Sequence, residues 1–147
     1  MSEKNYFPPM HTAEHILNQT MVRLYACGRS FNAHIEKKKS KCDYPLDRPL
    51  TDEEITTIEN LVNEQIQKNQ PVTEEFVSLD EAKTRVDISK LPTDIDFSTI
   101  RIVKIGDYDQ CACIGPHVSN TSEIGQFQII SHSWEDGVLR LRFKLIR

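Results

Sequence analysis

Two short stretches, far apart in the chain, constrain this sequence more than anything else in it. One is His11-Thr-Ala-Glu-His15, near the N-terminus; the other is Cys111-Ala-Cys113-Ile-Gly-Pro-His117. Residues i and i+4 of a helix share a face, so a helix over the first stretch aims His11 and His15 at one point. The second stretch offers a thiolate and another imidazole. Zinc takes nitrogen and sulfur ligands in tetrahedral geometry, so the two stretches suit one zinc ion held by His11, His15, Cys113 and His117. A fold that uses them must pack the first helix against the segment around Cys113, and folding assembles the site. A His pair at this spacing is by itself commonly surface or core; the second Cys/His pair is what favours metal. Only one thiolate is needed beside three imidazoles. Cys113 is favoured by its closeness to His117 across Gly115-Pro116, and Cys111 remains a spare or substitute ligand. Such a set is closed, so catalysis would need a fifth position or a weakly held ligand, or the metal would order the pocket while another group handles water. Glu14 is that other group, although it points about 100° away from His15 on the helix. His-x-x-Glu-His is also the inverted zinc-peptidase signature, with Glu as general base, but that reading expects a larger domain and a downstream acidic ligand. A solvated helix-face acid is the plain alternative for Glu14.

The remaining features bound the class. The chain has 147 residues, 38% hydrophobic and 27% charged, which predicts one domain over 1–147 with a real core. No apolar run approaches the ~20 residues of a membrane span, and the first residues lack a signal-peptide core. A cytoplasmic protein with no membrane partner is expected. The four cysteines, Cys27, Cys42, Cys111 and Cys113, then read as metal ligands or free thiols rather than disulfides. A net charge of -4 argues against broad nucleic-acid binding and against a DNA partner, while leaving room for a local basic patch.

In chain order, Pro8-Pro9 keeps a short lead-in extended. From Met10 the pattern is helical, with Ile16, Leu17, Met21, Leu24 and Tyr25 at three- and four-residue intervals and Gly28 as the stop. Ser30–Glu36 and Ser40–Tyr44 read as strands, with Lys37-Lys38-Lys39 at the tip between them. Thr51 and Glu54 form a capping box for a helix carrying Ile55, Ile58, Leu61, Val62 and Ile66 and ending near Asn69. Val72–Val77 reads as a strand, and Ser78 with Glu81 as a second capping box for a short helix through Arg85. Asp87–Ser98 is loop-rich. Thr99–Ile105 is a buried-type strand, Tyr108–Cys113 is extended, and Ile124–Trp134 and Val138–Ile146 form a hairpin around Asp136-Gly137. The class is α+β, with helices packed on a mainly antiparallel sheet.

At this point the residues resemble a known family. His11-Thr-Ala-Glu-His15-Ile-Leu is similar to the first metal motif of alanyl-tRNA synthetase editing domains, of free-standing AlaX-type proteins and of the second N-terminal domain of threonyl-tRNA synthetase. Leu50–Ile55, Glu59–Asn63, Ser78–Ala82, Ile102–Asp107, Cys113-x-x-x-His117-Val-x-Asn-Thr121 and Glu123-Ile-Gly125 follow the same pattern in the same order. Two departures stand out. Ile114-Gly115-Pro116 replaces the Gly-Gly-Thr of alanyl-type members and looks more like the threonyl type. Cys111 occupies a position where an acid is common. The resemblance implies a Zn2+-dependent hydrolase that removes a wrong amino acid, typically serine, from tRNA in trans. On that reading His11 and Glu14 are catalytic, and Thr12 and Thr121 meet the substrate. Lys104, with Lys37–Lys39, Lys41, Arg140 and Arg142, meets acceptor-stem phosphates. The expected partner is the acceptor end of a mischarged tRNA, with a homodimer left open. The competing class is a non-catalytic zinc-containing module that binds tRNA or a synthetase.

Overall fold

The computed structural model describes residues 7–89, 91 and 99–147. The first helix, α1, spans Pro8–Tyr25 and so begins two residues before the expected Met10. Pro8-Pro9 does not extend the lead-in. It forms the helix's first turn, where a missing N–H costs nothing and the fixed φ is already helical. The helix ends before Gly28, because Ala26 takes the left-handed conformation at φ 53° and donates its N–H to the carbonyl of Val22. Met1–Asn5 and most of the second half of the Asp87–Ser98 loop fall outside the described residues.

Among the described residues, seven strands, all paired antiparallel, divide into two sheets. The larger sheet has the order β1-β2-β7-β6, from Asn32–His34, Ser40–Pro45, Val138–Ile146 and Gln126–Glu135. The smaller has β3 (Val72–Ser78), β4 (Thr99–Ile105) and β5 (Asp109–Ala112) in that order. Helix α2 spans Asp52–Gln67 and opens with the full capping box: Thr51 and Glu54 each accept the other's backbone N–H. Helix α3, Leu79–Arg85, has only the forward half. Glu81 donates its backbone N–H to Ser78 Oγ, but its carboxylate accepts from Arg85 instead of capping. The last strand pair begins later than expected, because Thr121–Glu123 forms a 3-10 turn first.

The main core lies between the helices and the larger sheet. Ala13, Ile16, Leu17 and Met21 of α1 and Ile58 and Val62 of α2 are fully buried against Tyr44, Phe127, Leu139, Leu141 and Phe143. A smaller apolar cluster of Val77, Ile100 and Ile102 packs under Ala82 of α3. Side chains alternate along a strand, so Asp109, Cys111 and Cys113 share one face of the smaller sheet, while Gln110 and Lys104 lie on the other. The first of these faces meets α1. No helix among the described residues is long and apolar enough to cross a membrane.

Candidate metal centre

Helix α1 presents His11 and His15 one turn apart, and the loop after β5 brings Cys113 and His117 to them. One ligand atom from each of the four residues lies within 4.8 Å of every other. The imidazoles of His11 and His117 stack at 4.2 Å, and His15 stands edge-on to His117 at 4.4 Å. His11 Nε2 is 3.5 Å from Cys113 Sγ. Around a tetrahedral zinc with bonds of ~2.0–2.3 Å, neighbouring ligand atoms sit roughly 3.4–3.7 Å apart, so the His11–Cys113 pair already has the spacing and the widest pairs would draw in by about 1 Å around an ion.

The outer contacts orient each ring. His11 Nδ1 donates to the carbonyl of Pro116 at 3.0 Å, which turns Nε2 toward Cys113 Sγ. Thr12 Oγ1 lies 2.9 Å from His117 Nδ1 and accepts the N–H of Val118 at 3.2 Å, so His117 also faces the cluster through Nε2. That atom is buried without a hydrogen-bond partner; His15 Nδ1 also lacks one, but it stands 3.7 Å from the Asp109 carboxylate. Buried ring nitrogens are ordinarily satisfied, and an orphan in a Cys/His cluster is what a metal ligand looks like without its ion. Gly115 is needed for the same packing. A Cβ there would lie 2.4 Å from the His11 ring, so only glycine lets the loop pass over it. Arg101 fixes the loop from behind, donating to the carbonyls of Cys113 and Gly115 at 3.0 and 2.8 Å.

Electrostatics separate the two thiols. Burial opposes ionisation of Cys113, but contacts from His11, His117 and His15 outweigh it and pull its pKa down to about 3. Burial pushes Cys111 up to about 12. Cys113 is therefore the thiolate and Cys111 a neutral thiol. Burial also disfavours charge on His15, yet Asp109 and Cys113 raise it to about 9; burial and the charge on His15 push His117 down to about 4. This polarity of one thiolate among imidazoles is the donor set that suits zinc.

The other expected site residues fall in different places. Glu14 is mostly buried beside the cluster, 3.8 Å from His11 Nε2, rather than solvated on the helix face. Thr121 is fully buried, and its hydroxyl donates to the carbonyl of Ile66 and accepts the N–H of Gln70, tying the 3-10 turn to the end of α2. Lys104 lies on the face of the smaller sheet opposite Cys111 and Cys113. A buried group absent from the sequence reading is Asp109, which accepts from Arg29 at 2.7 and 3.2 Å and from Gln19 at 2.9 Å, and stands 3.7 Å from His15 Nδ1. The acid expected at position 111 is thus found two residues earlier, on the same strand face. Alternation could have placed Asp109 there; nothing in the sequence marks Arg29 as its partner.

Residues 100–142 match the family described as the threonyl and alanyl tRNA synthetase second additional domain. The chain is 38% identical over 133 residues to an alanine–tRNA ligase of Petrotoga mobilis, covering 90% of this chain and 14% of that protein. It is 37% identical over 138 residues to the alanine–tRNA ligase of Aeropyrum pernix, covering 90% and 15%. With that of Treponema pallidum it shares 33% over 134 residues, 90% and 22%. The chain thus spans less than a quarter of the length of each of these relatives.

Proposed function

Because the chain resembles the editing-domain family of alanyl- and threonyl-tRNA synthetases, we propose that it is a zinc-dependent aminoacyl-tRNA deacylase acting in trans. The substrate is the ester between serine, or a similar small amino acid, and the terminal ribose of an alanine- or threonine-type tRNA. One observation carries the reading: His11, His15, Cys113 and His117 converge to within 4.8 Å from two elements remote in sequence. A hydrolytic second site makes sense for serine, since binding alone discriminates poorly between small side chains that differ by one group.

His11, His15, Cys113 and His117 would hold the ion. When bound, zinc supplies a Lewis acid for the ester carbonyl or a more acidic water. Thr12 acts through His117, whose ring it orients, and Gly115 and Arg101 keep the loop carbonyls and His11 in place. Glu14, 3.8 Å from His11 Nε2 and not committed to an arginine as Asp109 is, is the group that takes a proton from the attacking water. The second reading, a non-catalytic zinc module for tRNA, is favoured by the completeness of the four-ligand set, which leaves no open position. Release of labelled serine from preformed Ser-tRNA separates the two. The wild-type chain is expected to release serine on at least one tRNA type, and His11→Ala to lose release while keeping RNA affinity. Serine release at the spontaneous rate on both tRNA types, by a chain that carries zinc, establishes the module instead.

A further inference from the structure

The outer face of the larger sheet collects cations on a chain whose net charge is -4. Cys42 and Leu141 point into the core, so their neighbours Lys41 and Arg142 point out, and the register sets those two directly opposite each other. Like charges in a cross-strand pair destabilise a sheet, so this pairing is not one that stability alone selects. Lys144 continues the same face of β7. Among the described residues, none of Lys41, Arg142 and Lys144 forms an ion pair, whereas Arg140 is neutralised by Asp43 at 2.7 and 2.9 Å. The track runs on toward the metal centre. Lys37, in the β1–β2 connection, stands 5.6 Å from the centre of the Phe7 ring, and the guanidinium of Arg147, just past β7, stands 5.4 Å from it. Phe7 caps α1, and its carbonyl accepts the N–H of His11 at 3.0 Å.

We propose that Lys41, Arg142 and Lys144, continued by Lys37 and Arg147, form a track for the phosphate backbone of an RNA stem, which delivers the 3′ end to the start of α1. The inference rests on the deacylase reading for its partner and adds the face that partner meets. Charge complementarity supports a polyanion. The neighbours on that face include Gln128, Ser131 and Ser133, whose amide and hydroxyl groups suit sugar and phosphate oxygens, and the exposed Ile130 and Ile146 lie at its margin as single residues rather than as the apolar layer a bilayer would need. It also divides the basic residues read from the sequence: Lys104 sits on the other sheet and Arg140 is already paired.

The test is binding of an acceptor-stem minihelix with a single-stranded 3′ tail, followed by anisotropy over a salt series. The variants are Lys41→Gln/Arg142→Gln/Lys144→Gln together and Lys83→Gln in α3 as a control. The triple variant is expected to bind at least about 10-fold more weakly at low salt and to lower the slope of log K against log salt by about 2 to 3, with Lys83→Gln unchanged. It should retain hydrolysis of a seryl ester of adenosine, which is too small to reach the track. Arg142→Gln alone, expected to lower the slope by about 1, serves if the triple variant does not fold. Equal affinity and slope in wild type and variant overturn the track, as does loss of binding to anionic vesicles by a chain that binds no minihelix. If the minihelix binds through these residues but no ester is cleaved, the track stands and the deacylase reading falls.

Discussion

The two cysteines of β5 and the loop after it are chemically distinct although only one residue separates them. Cys113 is surrounded by three imidazoles and is a thiolate; Cys111 is a half-buried thiol pushed up to about 12. Cys113→Ser is therefore expected to lose zinc, by elemental analysis of purified protein, while Cys111→Ser keeps it. Asp109 is a positioning residue, because its carboxylate stands behind His15 and is itself locked by Arg29. Asp109→Asn should weaken zinc binding about 10- to 100-fold in competition with a chelator, the usual effect of losing the group that orients a ligating histidine. Gly115→Ala would push a methyl group into the His11 ring. It should lower zinc affinity even though it removes no ligand, and intact affinity would show that the loop can move aside.

At the scale of elements, what matters is how each ligand-bearing piece is held. Helix α2 bears no ligand, but its apolar stripe of Ile55, Ile58, Val62 and Ile66 packs beside α1 and keeps it on the sheet. Thr51→Ala removes the side chain that accepts the N–H of Glu54 and should cost about 1 kcal/mol in denaturant unfolding. The pairing of β2 with β7 includes the buried Asp43 carboxylate, which hydrogen bonds from Arg140 hold below its usual range. A carboxyl whose pKa is lower folded than unfolded adds stability above its unfolded value of about 3.9 and loses it as pH falls through the folded value. The thermal midpoints of wild type and Asp43→Asn should therefore differ at neutral pH and converge under acid.

For the whole molecule, an ion held by these four residues would act as a cross-link. It would join α1 to the loop after β5, at the seam where α1 meets the smaller sheet. Binding free energy of an ion held only by the folded form adds directly to folding stability. Stripping the protein with a chelator should lower its thermal midpoint and zinc should restore it. His11→Ala/His15→Ala should melt at the lower temperature with or without chelator. A double variant with full zinc occupancy would remove the proposed site.

Local regularities were readable from the residues alone. The i,i+4 spacing of His11 and His15, the amphipathic stripe of α2, the Thr51 capping box and the alternation of the last hairpin are set by backbone geometry within a few residues. The Cys113–His117 turn could be paired with the first helix for a different reason, the shared preference of imidazole and thiolate for one zinc ion. Tertiary structure decided what depends on neighbours distant in the chain. It split the strands into two sheets, made Pro8-Pro9 a helical turn, and committed the Thr121 hydroxyl to the end of α2. It also brought Arg29 to Asp109 and gave Cys113 rather than Cys111 the three imidazoles that ionise it. A side chain's charge state and hydrogen-bond partner are properties of its surroundings, and in this fold those surroundings come from chain segments up to a hundred positions away.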